Sequence, residues 1–194
     1  AVLFDMDGVL IDSYRAWFEV VNAAARHYGK NEITPGQFEK AWGQSTAADV
    51  DKFFNGCTIM QIEEYYRDNF PEYAKYITVM PDTKTVLPGL RERGIKTAVI
   101  TNTWSPLARD VLEKCDIEHD ILVGDGDVEN SKPAPDMIFR ACEMLGVELA
   151  DVIFVGDSAY DHAAAEAAGV RFLAVGGFDG GIKIGRLDEV FDHI

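Results

Sequence analysis

Apolar and polar positions divide the chain into short apolar runs separated by stretches with helical spacing. Residues 1–5, 97–101, 120–123, 152–155 and 170–175 form runs rich in aliphatic and β-branched side chains, and their shortness predicts strands. Residues 82–93, 106–115, 135–145 and 159–168 carry their apolar residues at helical intervals. Ser105-Pro106 and Ala134-Pro135 read as helix starts with proline in the first turn, and Leu145-Gly146 and Ala168-Gly169 read as helix stops. Pro88 lies inside the helix expected at 82–93 and predicts a short or kinked one. Strands alternating with such helices predict an α/β fold, a doubly wound, Rossmann-like parallel sheet with helices on both faces.

Residues 13–80 break this rhythm, because no convincing strand appears there. Residues 14–28 place Trp17, Phe18, Val21 and Ala25 on one helical face, and Thr34-Pro35-Gly36-Gln37 opens a second helix with a capping-box pattern. Further helices are expected over 46–55 and 59–69. The predicted organisation is an α/β core of residues 1–13 and 81–194, with an inserted α-helical cap domain at 14–80. The aromatic residues Trp17, Phe18, Phe38, Trp42, Phe53, Phe54, Tyr65 and Tyr66 read as the private core of that insertion.

Composition narrows the class. A chain of 194 residues, 47% hydrophobic and 26% charged, is that of a soluble globular protein, and no apolar run approaches the ~20 residues of a membrane span. The sequence opens on a core strand and not on a signal sequence. Its three widely spaced cysteines form no C-x-x-C pair and read as reduced thiols, so a cytoplasmic location is expected. The net charge is −15, yet residues 14–80 carry 7 basic and 9 acidic residues and stand at only −2. So acidic a remainder repels nucleic acid and anionic membranes. It also repels a phosphorylated metabolite unless a cation reverses the field locally, which makes metal dependence an expectation.

The candidate chemistry sits where the strands end, since ligands of doubly wound sheets collect at the carboxyl ends of strands. The first strand runs into Asp5-Met6-Asp7-Gly8 and the second into Thr101-Asn102. The loop after the third holds Lys132-Pro133, and the fourth leads to Gly156-Asp157-Ser158 and Asp161. Oxygen-only acidic ligands without a histidine cluster suit a hard cation such as Mg²⁺. Asp5 is placed to act as a nucleophile on phosphorus, and Asp7 to give the leaving oxygen a proton and then activate water. Thr101 and the amides after it suit phosphate oxygens, and Lys132 offsets the charge of a dianion.

These segments closely resemble the haloacid dehalogenase superfamily in its phosphatase branch. Residues 5–13 resemble its first motif, Thr101-Asn102 its second, Lys132-Pro133-Ala134-Pro135-Asp136 its third and Val155-Gly156-Asp157-Ser158 with Asp161 its fourth. The resemblance spans about residues 1–13 and 81–180. It implies an aspartyl-phosphate on Asp5 and general acid/base action by Asp7. It also implies Mg²⁺ held by Asp5, the Asp7 backbone carbonyl and Asp157, with Asp161 in support through water, while Lys132 contacts both nucleophile and phosphate. The second aspartate separates the chain from the dehalogenases that give the superfamily its name. The insertion resembles a type-1 cap, and phosphoglycolate-phosphatase-like members are the nearest resemblance.

The expected function is Mg²⁺-dependent hydrolysis of a small phosphomonoester metabolite by a monomer or homodimer. The alternatives are a phosphosugar mutase of the β-phosphoglucomutase kind, a pyrophosphatase, or a non-catalytic binding module. Arg15 and Gln44, in the Gly43-Gln44-Ser45-Thr46 loop, are the candidate substrate contacts from the insertion. Trp104 is either a pocket wall or a staple for the next helix. Asp125 and Asp127 read as a solvated acidic turn, and Asp12 as a cap for the turn entering the insertion.

Overall fold

The computed structural model describes residues 1–194. The chain begins with β1 (Val2–Phe4) and β2 (Ile11–Asp12), followed by four helices: α1 (Tyr14–His27), α2 (Pro35–Glu39), α3 (Thr46–Phe53) and α4 (Ile59–Tyr73). It returns through β3 (Thr78–Val79), α5 (Thr83–Glu92), β4 (Thr97–Trp104), α6 (Ser105–Lys114) and β5 (Ile121–Asp125). It ends with α7 (Asp136–Leu145), β6 (Ile153–Gly156), α8 (Ala159–Ala168), β7 (Arg171–Ala174) and β8 (Ile182–Lys183). No helix is long and apolar enough to cross a membrane.

The six strands β5-β4-β1-β6-β7-β8 form one parallel sheet with β1 in its middle. Crossovers leave β1 in both directions, so its carboxyl end is the switch point where a crevice opens. Side-chain alternation along β1 builds the two layers. Val2 and Phe4 join the apolar cluster containing Leu87, Leu90, Val111 and Leu112 of α5 and α6. Leu3 faces the other cluster, with Met137, Ile138, Ala164 and Ala168 of α7 and α8.

The insertion departs from expectation in two ways. Its Val20, Phe38, Phe54, Tyr66 and Phe70 belong to the same apolar cluster as Val2 and Phe4, so its core is continuous with one face of the sheet. It is also rooted in strands: β2 and β3 pair antiparallel, with Ile11 opposite Val79. The amide of Met80 and the hydroxyl of Thr83 both donate to the Leu10 carbonyl, each at 2.9 Å.

Several local expectations also shift. Helix α4 continues through Pro71 to Tyr73, and α5 continues through Pro88, where buried Phe70 and Leu87 anchor the apolar faces. Ser105 is the first residue of α6 and not its cap; its hydroxyl instead receives the Gly124 amide at 3.0 Å and bonds Asp127. Strand β4 runs three residues past 101, and the two-residue strand β8 was not foreseen. The stops are as read, with Gly146 and Gly169 left-handed at φ 64° and 71°.

Candidate active site

Asp5 follows β1 directly, its amide donating to the Val155 carbonyl of neighbouring β6 at 2.9 Å. The chain then turns through Gly8, whose φ is 85°. A Cβ there would lie 1.9 Å from Asp157 Oδ2, so only glycine lets the loops after β1 and β6 come this close.

Lys132 binds the acidic groups together. Its Nζ donates to Asp5 Oδ1 at 2.7 Å, to Asp161 Oδ1 at 2.6 Å and to the Ile100 carbonyl at 3.1 Å. Burial works against this charge, but the carboxylates of Asp161 and Asp5 outweigh it and hold the ammonium above its ordinary range. Asp161 is fully buried, and its second oxygen accepts from the Ser158 hydroxyl at 2.6 Å and the Ser158 amide at 3.1 Å. Both its oxygens are therefore engaged by protein donors.

Burial, followed by the Asp161 charge, pushes the Asp5 carboxyl well above its usual range despite Lys132. The same two causes raise Asp157 to about 7. Three aspartates thus bring oxygens within 4.8 Å of one another, and the one ammonium pairs with only two of them, Asp5 and Asp161. Asp157 Oδ2 accepts from Trp42 Nε1 at 2.9 Å, while its buried Oδ1 has no partner. An orphaned oxygen in a crowded all-oxygen cluster fits a hard divalent cation, which would supply the missing positive charge.

Asp7 gathers donors from both sides of the crevice. Its Oδ1 accepts from Ser13 Oγ and from Trp17 Nε1, the latter at 3.0 Å, and its Oδ2 from Thr103 Oγ1 at 2.9 Å and Thr101 Oγ1 at 3.4 Å. Burial raises its pKa and these donors oppose the rise. Asn102 clamps the backbone: its Nδ2 donates to the carbonyls of Gly43 and Lys132, both at 2.8 Å, and its Oδ1 accepts the Lys132 amide at 2.9 Å. Asn102, the expected phosphate contact, therefore also ties the insertion to the lysine loop.

Asp5, Asp7, Thr101, Asn102 and Lys132 line one cleft, and Gln44 lines it from the insertion. Arg15 is a correction, since it is exposed with its guanidinium 4.0 Å from the Tyr76 ring centroid and does not line the cleft. Trp104 lies against the apolar cluster and also does not line it. Asp125 accepts the Gly126 amide and the Ser131 hydroxyl, and Asp127 the Gly124 amide and the Ser105 hydroxyl, so this acidic turn is tied to the lysine loop and to α6. Asp12 accepts the Tyr14 amide at 3.3 Å.

Sequence reasoning missed Ser13, Trp17, Trp42, Asp49, Tyr66 and Thr103. Trp17 stands four residues after Ser13, one helical turn, and that spacing was the available signal. Both indole rings pack against the apolar cluster as the core reading expects, while their N–H groups also reach Asp7 and Asp157. Asp49, Tyr66 and Trp42 had no local signal, because only tertiary packing brings α3, α4 and the residues before Gly43 together.

The family model for haloacid dehalogenase-like hydrolases matches residues 2–175. A protein of Caldanaerobacter subterraneus provisionally named pyrophosphatase PpaX is 34% identical over 178 residues, covering 90% of this chain and 80% of its own. A phosphoglycolate phosphatase of Chromobacterium violaceum is 30% identical over 187 residues, covering 91% and 84%. The crystal structure of β-phosphoglucomutase from Clostridium difficile shares the fold at a TM-score of 0.87 and 19% identity, over 100% of this chain and 94% of that one. Together with the crevice of carboxylates and lysine at the head of β1, these likenesses establish that the chain belongs to the haloacid dehalogenase-like hydrolases.

Proposed function

We propose that this hydrolase is a Mg²⁺-dependent phosphatase of small phosphomonoester metabolites, working through an aspartyl-phosphate on Asp5. The observation that carries this is the pairing of Asp5 with Lys132 at 2.7 Å in a cleft that Asp7 also lines. Ionised Asp5 attacks phosphorus, the bond from phosphorus to the leaving oxygen breaks, and Asp7 gives that oxygen its proton. Asp7 then takes a proton from the water that attacks phosphorus, releasing inorganic phosphate and restoring Asp5. The burial that raises the Asp7 pKa supports its role as the proton donor.

Lys132 and the Thr101 hydroxyl line the cleft and would balance charge on the phosphoryl oxygens. A bound Mg²⁺, held by Asp5, the Asp7 carbonyl and Asp157 with Asp161 behind them, would neutralise the crowded carboxylates and the substrate's dianion. Helices α1 to α4 are proposed as a cap turning about the β2–β3 ribbon to exclude water, as the indole contacts across the cleft suggest. A cytoplasmic location is proposed from the three free cysteines.

Phosphate release from a panel of esters, with and without Mg²⁺, tests this reading. Activity is expected only with the metal, and Asp5→Asn is expected to lower turnover by about 10⁴-fold or more. Full turnover by Asp5→Asn, or metal-indifferent turnover, would sink the mechanism.

A further inference from the structure

The insertion's side of the cleft is lined by Trp17, Val21, Phe38, Trp42, Gln44, Asp49 and Tyr66, among others, and supplies no cation. Lys132 is the one cationic residue in the whole lining, and it already serves Asp5 and Asp161. Arg15 lies over Tyr76, and Lys52, although its charge acts on Asp49, sends its ammonium toward the Lys40 carbonyl at 3.5 Å and does not line the cleft. A carboxylate stands where a second cation would be needed. Asp49 Oδ1 accepts from Gln44 Nε2 at 2.6 Å and its Oδ2 from the Tyr66 hydroxyl at 2.9 Å.

We propose that Asp49 is the specificity-determining residue of this cleft, selecting phosphate esters of neutral, hydroxyl-bearing alcohols and rejecting leaving groups that carry a second anion. This deepens the phosphatase reading and rests on it. A carboxylate oxygen can accept from a second donor, and the flanking Gln44 and Tyr66 already donate to Asp49, so a further group that bonds Asp49 must donate too. A hydroxyl satisfies that demand; a carboxylate or a second phosphoryl group would face Asp49 with no cation beside it in the cleft lining, since Lys52 acts on Asp49 only from outside that lining. The apolar wall of Val21, Phe38 and the two indoles suits the C–H faces of a polyol or sugar. The two relatives named above carry names that imply a second anion on the substrate, so this chain would differ from them in specificity.

The test is kcat/KM of the full chain with Mg²⁺, at mildly alkaline pH, for glycerol phosphate, a hexose phosphate, phosphoglycolate and pyrophosphate. The hydroxylated esters are expected to exceed the other two by roughly tenfold or more. Asp49→Asn is expected to shrink that gap, chiefly by raising the rate with phosphoglycolate. Wild-type preference for phosphoglycolate or pyrophosphate would overturn the proposal without needing any variant. An unchanged ratio in folded Asp49→Asn would overturn it as well. Silence toward all four substrates would instead remove the phosphatase reading, and this inference with it.

Discussion

Asp49 also shows how one buried carboxyl ties stability to pH. Burial raises it to about 6, against the donors Gln44 and Tyr66 and the charge of Lys52. An acid whose folded pKa exceeds its unfolded one binds its proton more tightly in the fold. Stability from this group therefore falls as pH rises from roughly 4 to 6 and stays level above. Asn at this position removes that loss while keeping an acceptor for Tyr66 or Gln44. Relative to wild type, Asp49→Asn is expected to gain nothing near pH 4 and about 2 kcal/mol above pH 7, as urea unfolding at the two pH values would show. An equal effect at both would mean that Asp49 is not held against ionisation.

Among the elements, α8 carries the tightest link between local structure and site. Ser158 caps it, accepting the Asp161 amide at 3.3 Å and donating to the Asp161 carboxylate, which in turn holds Lys132. Ser158→Ala is expected to lower stability by about 1 to 2 kcal/mol, measured by denaturant unfolding, because a cap and a donor to a buried carboxylate vanish together. A change below the error of the measurement would show that the capping box is not what holds Asp161. The buried strands and capped helices of the α/β core were legible because apolar runs and caps are local signals. The β2–β3 ribbon was not, since two-residue strands have no periodicity to read. The helix at 82–93 was legible despite Pro88, and α5 crosses that proline; the extension of α4 across Pro71 escaped because burial of an apolar face overrides a local breaker. Asp5, Asp7, Thr101, Lys132, Asp157 and Asp161 were visible as strand-end chemistry, and they do converge in space. Arg15 pointed elsewhere because stacking on Tyr76 competes with any turn toward the cleft.

At the scale of the molecule, the insertion and the sheet share one apolar cluster and meet again across the cleft through polar contacts. Asn102 holds the Gly43 carbonyl, Trp17 reaches Asp7 and Trp42 reaches Asp157. The near-neutral insertion thus faces the more acidic part of the chain, where most of the net charge of −15 resides. Two of the protein's three tryptophans therefore place their indole N–H groups on site carboxylates. Indole emission depends on such contacts, so the chain carries its own optical gauge of how the two halves meet. A cation drawn to Asp157 competes with the Trp42 donor for the same carboxylate. Adding Mg²⁺ is expected to shift the intrinsic fluorescence, and Trp42→Phe to abolish most of that shift, whereas Trp104→Phe leaves it. Emission indifferent to Mg²⁺ would mean that the indole stays in place as the metal arrives. If the shift is seen, closure could be timed in a stopped-flow instrument with no label attached, using light the molecule already emits.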